Sequence, residues 1–165
     1  MLVRKLTEED GEALWALRLR ALTDNPEAFA TTYEETLASG RERLVEGLRQ
    51  KEAFYVGAFE HSLISMVYFR REEGRKNCHK GRILSMYVQP ESRGLGVGKA
   101  LLQEVITQAK QFVGVEQLHL TVLTTNTAAR SLYHSMGFEV YGTILRALKM
   151  DEQYWDEVQM VLHLQ

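Results

Sequence analysis

The sequence predicts an α/β (α+β) chain, a mixed sheet of about seven strands flanked by about four helices. Three observations carry that expectation. Segments with the two-residue period of strands alternate with segments of helical period, a glycine-rich turn joins an apolar strand to a long amphipathic stretch, and the chain finishes on two successive strand-like runs. The length of 165 residues fits one domain, 1–165, with room for a sizeable core.

Each element can be justified in order. Leu2 to Leu6 alternates apolar and charged residues, as a half-buried strand does. Thr7-x-x-Asp10 resembles a capping box and opens a helix with Leu14, Leu17 and Ala21 on one face; Asn25 before Pro26 ends it. A second helix is expected around Arg41 to Gln50. Phe54–Phe59 and Leu63–Arg70 flank Glu60-His61-Ser62 as a hairpin. Arg71 to Lys80 is charged and reads as a long connection, before a strand from about Arg82 to Val88. After the glycine turn, Leu101, Leu102, Val105, Ile106, Ala109 and Phe112 mark the buried stripe of a helix. Leu118–Leu123 is a strand, Thr127–Met136 a short helix, and Val140–Leu148 and Glu157–Leu164 the last strands. The order is therefore β-α-α-β-β-β-α-β-α-β-β.

Composition narrows the function classes. A net charge of −2 argues against a general nucleic-acid binder or a protein held on anionic membranes. The single cysteine, Cys78, excludes an internal disulfide and fits a reducing compartment. Cys78-His79 has no evident orienting partner for nucleophilic work, and the five histidines lack ligand spacing, so no metal is expected. Residues 1–10 contain no long apolar run, and a cytoplasmic protein without a membrane anchor is expected.

The most informative stretch is Val88-Gln89-Pro90-Glu91-Ser92-Arg93-Gly94-Leu95-Gly96-Val97-Gly98-Lys99-Ala100. Alternate glycines let the backbone approach a ligand, and a helix N-terminus offers unpaired N–H groups that suit a phosphate or pyrophosphate. Arg93 and Lys99 would add positive charge on either side. A Walker loop fails twice, because Arg93 stands where its first glycine belongs and Ala100 where Ser or Thr belongs. The dinucleotide pattern fails at Lys99. Glycines needed only for helix packing remain an alternative.

Downstream lies Asn126-Thr127-Ala128-Ala129-Arg130-Ser131-Leu132-Tyr133-His134-Ser135-Met136-Gly137-Phe138. Asn126 suits an N-cap, Gly137 a left-handed C-cap, and Tyr133 stands two helical turns from Asn126, nearly on the same side. Simple capping for Asn126 and a core position for Tyr133 are the structural alternatives.

Together, Arg93-Gly94-Leu95-Gly96-Val97-Gly98, preceded by Leu84-Ser85-Met86-Tyr87-Val88 and Pro90, and the Asn126–Phe138 run resemble the two signatures of the GNAT superfamily of acetyl-coenzyme A-dependent N-acetyltransferases. The resemblance spans Phe54 to Phe138. It implies a mostly antiparallel sheet that splays between its fourth and fifth strands, Arg82–Val88 and Leu118–Leu123. It implies a pantetheine arm paired with backbone at Met86, Tyr87 and Val88, and a pyrophosphate on the amides of Arg93, Gly94, Leu95, Gly96, Val97, Gly98 and Lys99. Asn126 would hydrogen-bond acetyl-CoA, and Tyr133 would protonate the departing thiolate. The acceptor would be an amine of unidentified structure, and the resemblance also allows a homodimer.

A lysine-like amine, with a pKa of about 10.4, must lose a proton before it attacks. Relatives often place a glutamate on the fourth strand, which here has none. Glu34 and Glu35, in a segment expected to border the acceptor, are the candidates for that side, and Tyr87 could relay a proton through water. A cofactor-sensing domain with little catalysis is the alternative of a different class.

Overall fold

The computed structural model describes all residues, 1–165. Seven strands form one sheet: β1 (Leu2–Lys5), β2 (Ala53–Phe59), β3 (Leu63–Arg71), β4 (Lys80–Val88), β5 (Gln117–Leu123), β6 (Glu139–Met150) and β7 (Gln153–His163). Their spatial order is β1-β2-β3-β4-β5-β7-β6. Every neighbouring pair is antiparallel except β4 and β5. Five α-helices accompany them: α1 (Gly11–Asp24), α2 (Tyr33–Ser39), α3 (Arg41–Arg49), α4 (Val97–Ala109) and α5 (Thr127–Ser135). No helix is long and apolar enough to cross a membrane.

The parallel contact is short. Lys80, Gly81 and Arg82 pair with Gln117, Leu118 and His119, and there the ladder stops, although β4 continues to Val88 and β5 to Leu123. The expected splay is therefore present. A bulge in β4 accompanies it: Tyr68 faces Leu84 while Met66 faces Tyr87, so Ser85 and Met86 together oppose Val67. Ser85 takes a φ of 54°, and the extra residue bends the strand.

Two cores follow from the alternation of strand side chains. Phe54, Val56, Phe69, Leu118 and Phe138 pack with Leu101, Leu102 and Val105 of α4 on one face. Leu14, Leu17 and Ala21 of α1 pack with Tyr55, Met66 and Tyr87 on the other. Because β2 and β3 are covered on both sides, they read as nearly unbroken apolar runs.

The helix count exceeds the expected four by one. The additional one is α2, which falls between the two N-terminal helices expected from sequence, and Thr32 and Glu35 form a capping box that starts it. The last two strands are also longer than expected. β6 carries irregularities between Val140 and Gly142 and between Ile144 and Leu148, which blur its alternation, and Asp156 accepts a 2.7 Å hydrogen bond from the Arg146 amide at the second. Residues 8–10 form a turn of 3-10 helix ahead of α1.

The Thr7–Asp10 box is present and is reinforced by Arg4, whose two terminal nitrogens donate to the Asp10 carboxylate at 2.8 Å each. Bonding to Arg4, foremost, and to Thr7 holds the Asp10 carboxyl below its ordinary range. That contribution is present above the unfolded carboxyl pKa and is lost as pH falls through the lower folded value. Asp10→Asn should therefore cost about 1–3 kcal/mol at pH 7 and much less at acid pH, read from urea unfolding midpoints.

Candidate active site

The opening between β4 and β5 broadens into a cavity of about 690 Å3. Its floor is Met86 and Val88 from β4 with Leu123 from β5, one end is the turn before α4, and Asn126, Leu132 and Tyr133 of the α5 segment close the far side. Of the residues singled out in the sequence, Met86, Tyr87, Val88, Arg93, Gly94, Gly96, Val97, Gly98, Lys99, Asn126 and Tyr133 all line it. Leu95 does not; the residue is 69% exposed.

The glycines have different jobs. Gly94 (φ 75°) and Gly96 (φ 82°) hold left-handed angles, with open space where a Cβ would stand. Gly98 is ordinary in backbone, but a Cβ there would lie 2.9 Å from the Leu132 side chain. This turn leaves the backbone N–H groups from Gly94 through Lys99 without a protein acceptor, and helical bonding resumes with Ala100 to Gly96. Consecutive free amides at the head of a 13-residue helix form a concave donor surface for an oxyanion.

Arg93 is directed elsewhere than the sequence suggests. Its Nε donates to the Val88 carbonyl and its Nη2 to Asn25 Oδ1, both at 2.8 Å. It shapes the turn while lining the cavity, and it takes up the Val88 carbonyl that a ligand alongside β4 would otherwise share. Lys99 remains at the mouth without a salt bridge. A neighbouring network ties the end of α1 to the same turn: Tyr87 O–H donates to Asp24 at 2.5 Å, Arg20 meets Asp24 at 3.3 Å, and Arg20 forms paired bonds with Glu91. Burial, then the Asp24 contact, pushes the Tyr87 hydroxyl far above its usual range.

Asn126 caps α5 by accepting from the Ala129 amide at 3.2 Å, and its NH2 group stays free to donate into the cavity. Tyr133 is buried among apolar side chains, and burial pushes its pKa up to about 12. Its O–H reaches only the Met86 sulfur, at 3.5 Å, a weak acceptor. It is a neutral proton donor without a strong protein acceptor, facing the cavity.

Glu34 and Glu35 are not brought to this cavity. Glu35 spends a carboxylate oxygen on the Thr32 amide at 2.7 Å as the cap of α2, and Glu34 is exposed on the same helix. Asn25 and Phe29, in the stretch Asn25 to Leu37 that the resemblance implies borders the acceptor, line the cavity on the α1 side.

The family model described as the acetyltransferase (GNAT) family matches residues 14–138. The chain belongs to that family. Among GNAT relatives, an N-alpha-acetyltransferase of Sulfurisphaera tokodaii is 32% identical over 103 residues, covering 58% of this chain and 62% of its own length. The chain thus spans about three fifths of that relative. A mycothiol acetyltransferase of Thermobispora bispora is 31% identical over 132 residues, 78% of this chain and 43% of that one. The fold agrees with a GNAT acetyltransferase structure from Streptococcus pneumoniae, with a TM-score of 0.88 at 22% identity over 99% of both chains. It also agrees with a phosphinothricin acetyltransferase from Sinorhizobium meliloti in complex with acetyl-CoA, with a TM-score of 0.80 at 22% identity over 99% of this chain and 88% of the other.

Proposed function

We propose that the protein is a cytoplasmic acyltransferase that moves the acetyl group of acetyl-CoA directly to an amine. The observation that carries this reading is the pairing of free amides from Gly94 to Lys99 at one end of the cavity with the Tyr133 hydroxyl near the other. The amides suit the pyrophosphate, the free NH2 of Asn126 suits an acceptor group along the pantetheine arm, and the β4 backbone beyond Arg82, open on its β5 side, suits its amides.

Acetyl-CoA supplies a thioester carbonyl at which a neutral amine attacks, forming a C–N bond as the C–S bond breaks. Tyr133 gives its proton to the departing sulfur, whose thiol pKa is about 8.5, and water at the cavity mouth takes the proton shed by nitrogen. Burial keeps Tyr133 protonated, so the proton is on the oxygen when the sulfur departs. Below about 12 it stays in the acid form. Turnover should therefore climb as the acceptor amine deprotonates, with no alkaline fall between about pH 7 and 10.

Thiol release from acetyl-CoA with a panel of primary amines tests the activity. Amine-dependent release supports transfer. Cofactor binding with no release on any amine would favour a sensing role.

A further inference from the structure

A second recess, of about 390 Å3, lies between α1, α2 and α3 and the faces of Tyr55 and Tyr68. Arg18 lines it. The Arg18 guanidinium sits 4.6 Å above the ring of Phe29, and Phe29 lines the larger cavity. Arg18 therefore stands on the wall between the two spaces. Its Nη1 donates to Ser85 Oγ and its Nη2 to Thr31 Oγ1, each at 3.1 Å.

Both partners are neutral hydroxyls. Arg4, Arg20, Arg49, Arg71 and Arg82 each meet a carboxylate, whereas Arg18, half-buried, meets none. Burial lowers its pKa, because no carboxylate offsets the water the charge has lost. Tyr55 lines the same recess, almost wholly buried, with a hydroxyl that donates to no protein group. The carboxylates there, Glu35 and Glu46, are both exposed, and Glu35 is already bonded to the Thr32 amide. Guanidinium and phenol thus offer hydrogen-bond donors to an oxyanion that the protein does not supply.

Its position relates it to the chemistry. Ser85, which takes Arg18, is followed in the β4 bulge by Met86, whose sulfur takes the Tyr133 hydroxyl. The bulged pair turns one residue to each face, so cation and proton donor flank the same short piece of strand.

We propose that the acceptor is a small amine that also carries a carboxylate, an α-amino acid or close analogue, with its carboxylate on Arg18 and Tyr55. This rests on the acetyl-transfer reading above. The amine then points past Phe29, which lines the larger cavity, toward the acetyl group. A peptide N-terminus fits less well, because its first carboxyl is already an amide.

The test is thiol release from acetyl-CoA with the free α-amino acids, each beside its α-carboxamide, and a thermal shift with acetyl-CoA alone on the same samples. The free acids should be preferred by about 10- to 100-fold in kcat/KM, the range expected of a charge-assisted contact. Arg18→Gln should erase that preference by raising KM for the acid, with kcat and KM for acetyl-CoA nearly unchanged. Tyr55→Phe, a smaller change, should raise the same KM several-fold. Equal turnover of acids and amides, or turnover of neither, overturns the proposal. So does an Arg18→Gln variant that slows both equally. The thermal shift reports separately on the cofactor site, so loss of the acceptor assignment is distinguishable from loss of the acetyl-CoA reading.

Discussion

Tyr133→Phe should lower kcat by about 10²- to 10⁴-fold while leaving the KM for acetyl-CoA nearly unchanged. The substitution deletes only an O–H whose protein partner is a thioether sulfur at 3.5 Å, so neither the core nor the cavity wall is altered. Unfolding midpoints should accordingly match those of the parent, which separates a chemical role from a packing role. With no proton donor, the departing sulfur must leave as a thiolate, and thiol release should recover as the leaving group is made more acidic. A variant with near-normal turnover would make Tyr133 a core tyrosine and move the acid elsewhere.

The second large effect lies at the other end of the cavity. Gly96→Asp should abolish binding of acetyl-CoA. No atom lies within 4 Å of a Cβ built at Gly96, so the side chain enters open space, with strain limited to the positive φ of 82°. Its carboxylate would then stand among the amides that suit the pyrophosphate and repel it. In the parent protein, ligand at 100 times its dissociation constant should add about 2.7 kcal/mol of stability, seen as a raised melting temperature. The variant should melt close to the ligand-free parent and show no shift. An undiminished shift would place the anion somewhere other than this turn.

The half of the candidate site proposed for the cofactor could be located from sequence because its parts are contiguous. The turn from Arg93 to Lys99 declares its geometry through the glycines, and the Asn126–Phe138 helix declares its caps, so local chemistry fixes both. Arg93 shows the limit of that reading, since its partners, Val88 and Asn25, are set by how the end of α1 packs against β4. The acceptor side depends wholly on such packing. Arg18 and Ser85 are 67 positions apart, and neither alone carries a signature. Glu34 and Glu35 drew attention as nearby carboxylates. The overlooked Thr32–Glu35 spacing was in fact a helix start, which assigns Glu35 to structure.

The seam where β4 and β5 part company has a consequence for how freely this protein can vary. A linear ligand laid along it would be gripped by main-chain atoms, which every residue except proline supplies alike. Side chains lining the seam could then be exchanged, one apolar residue for another, without loosening the hold. What selection must preserve is the path of the chain: the bulge at Ser85, the three-rung closure at Lys80–Arg82, and the turn into α4. The acceptor recess has no such protection, because its selectivity resides in individual side chains such as Arg18. One scaffold can thus keep a constant donor while single substitutions redirect it to new acceptors.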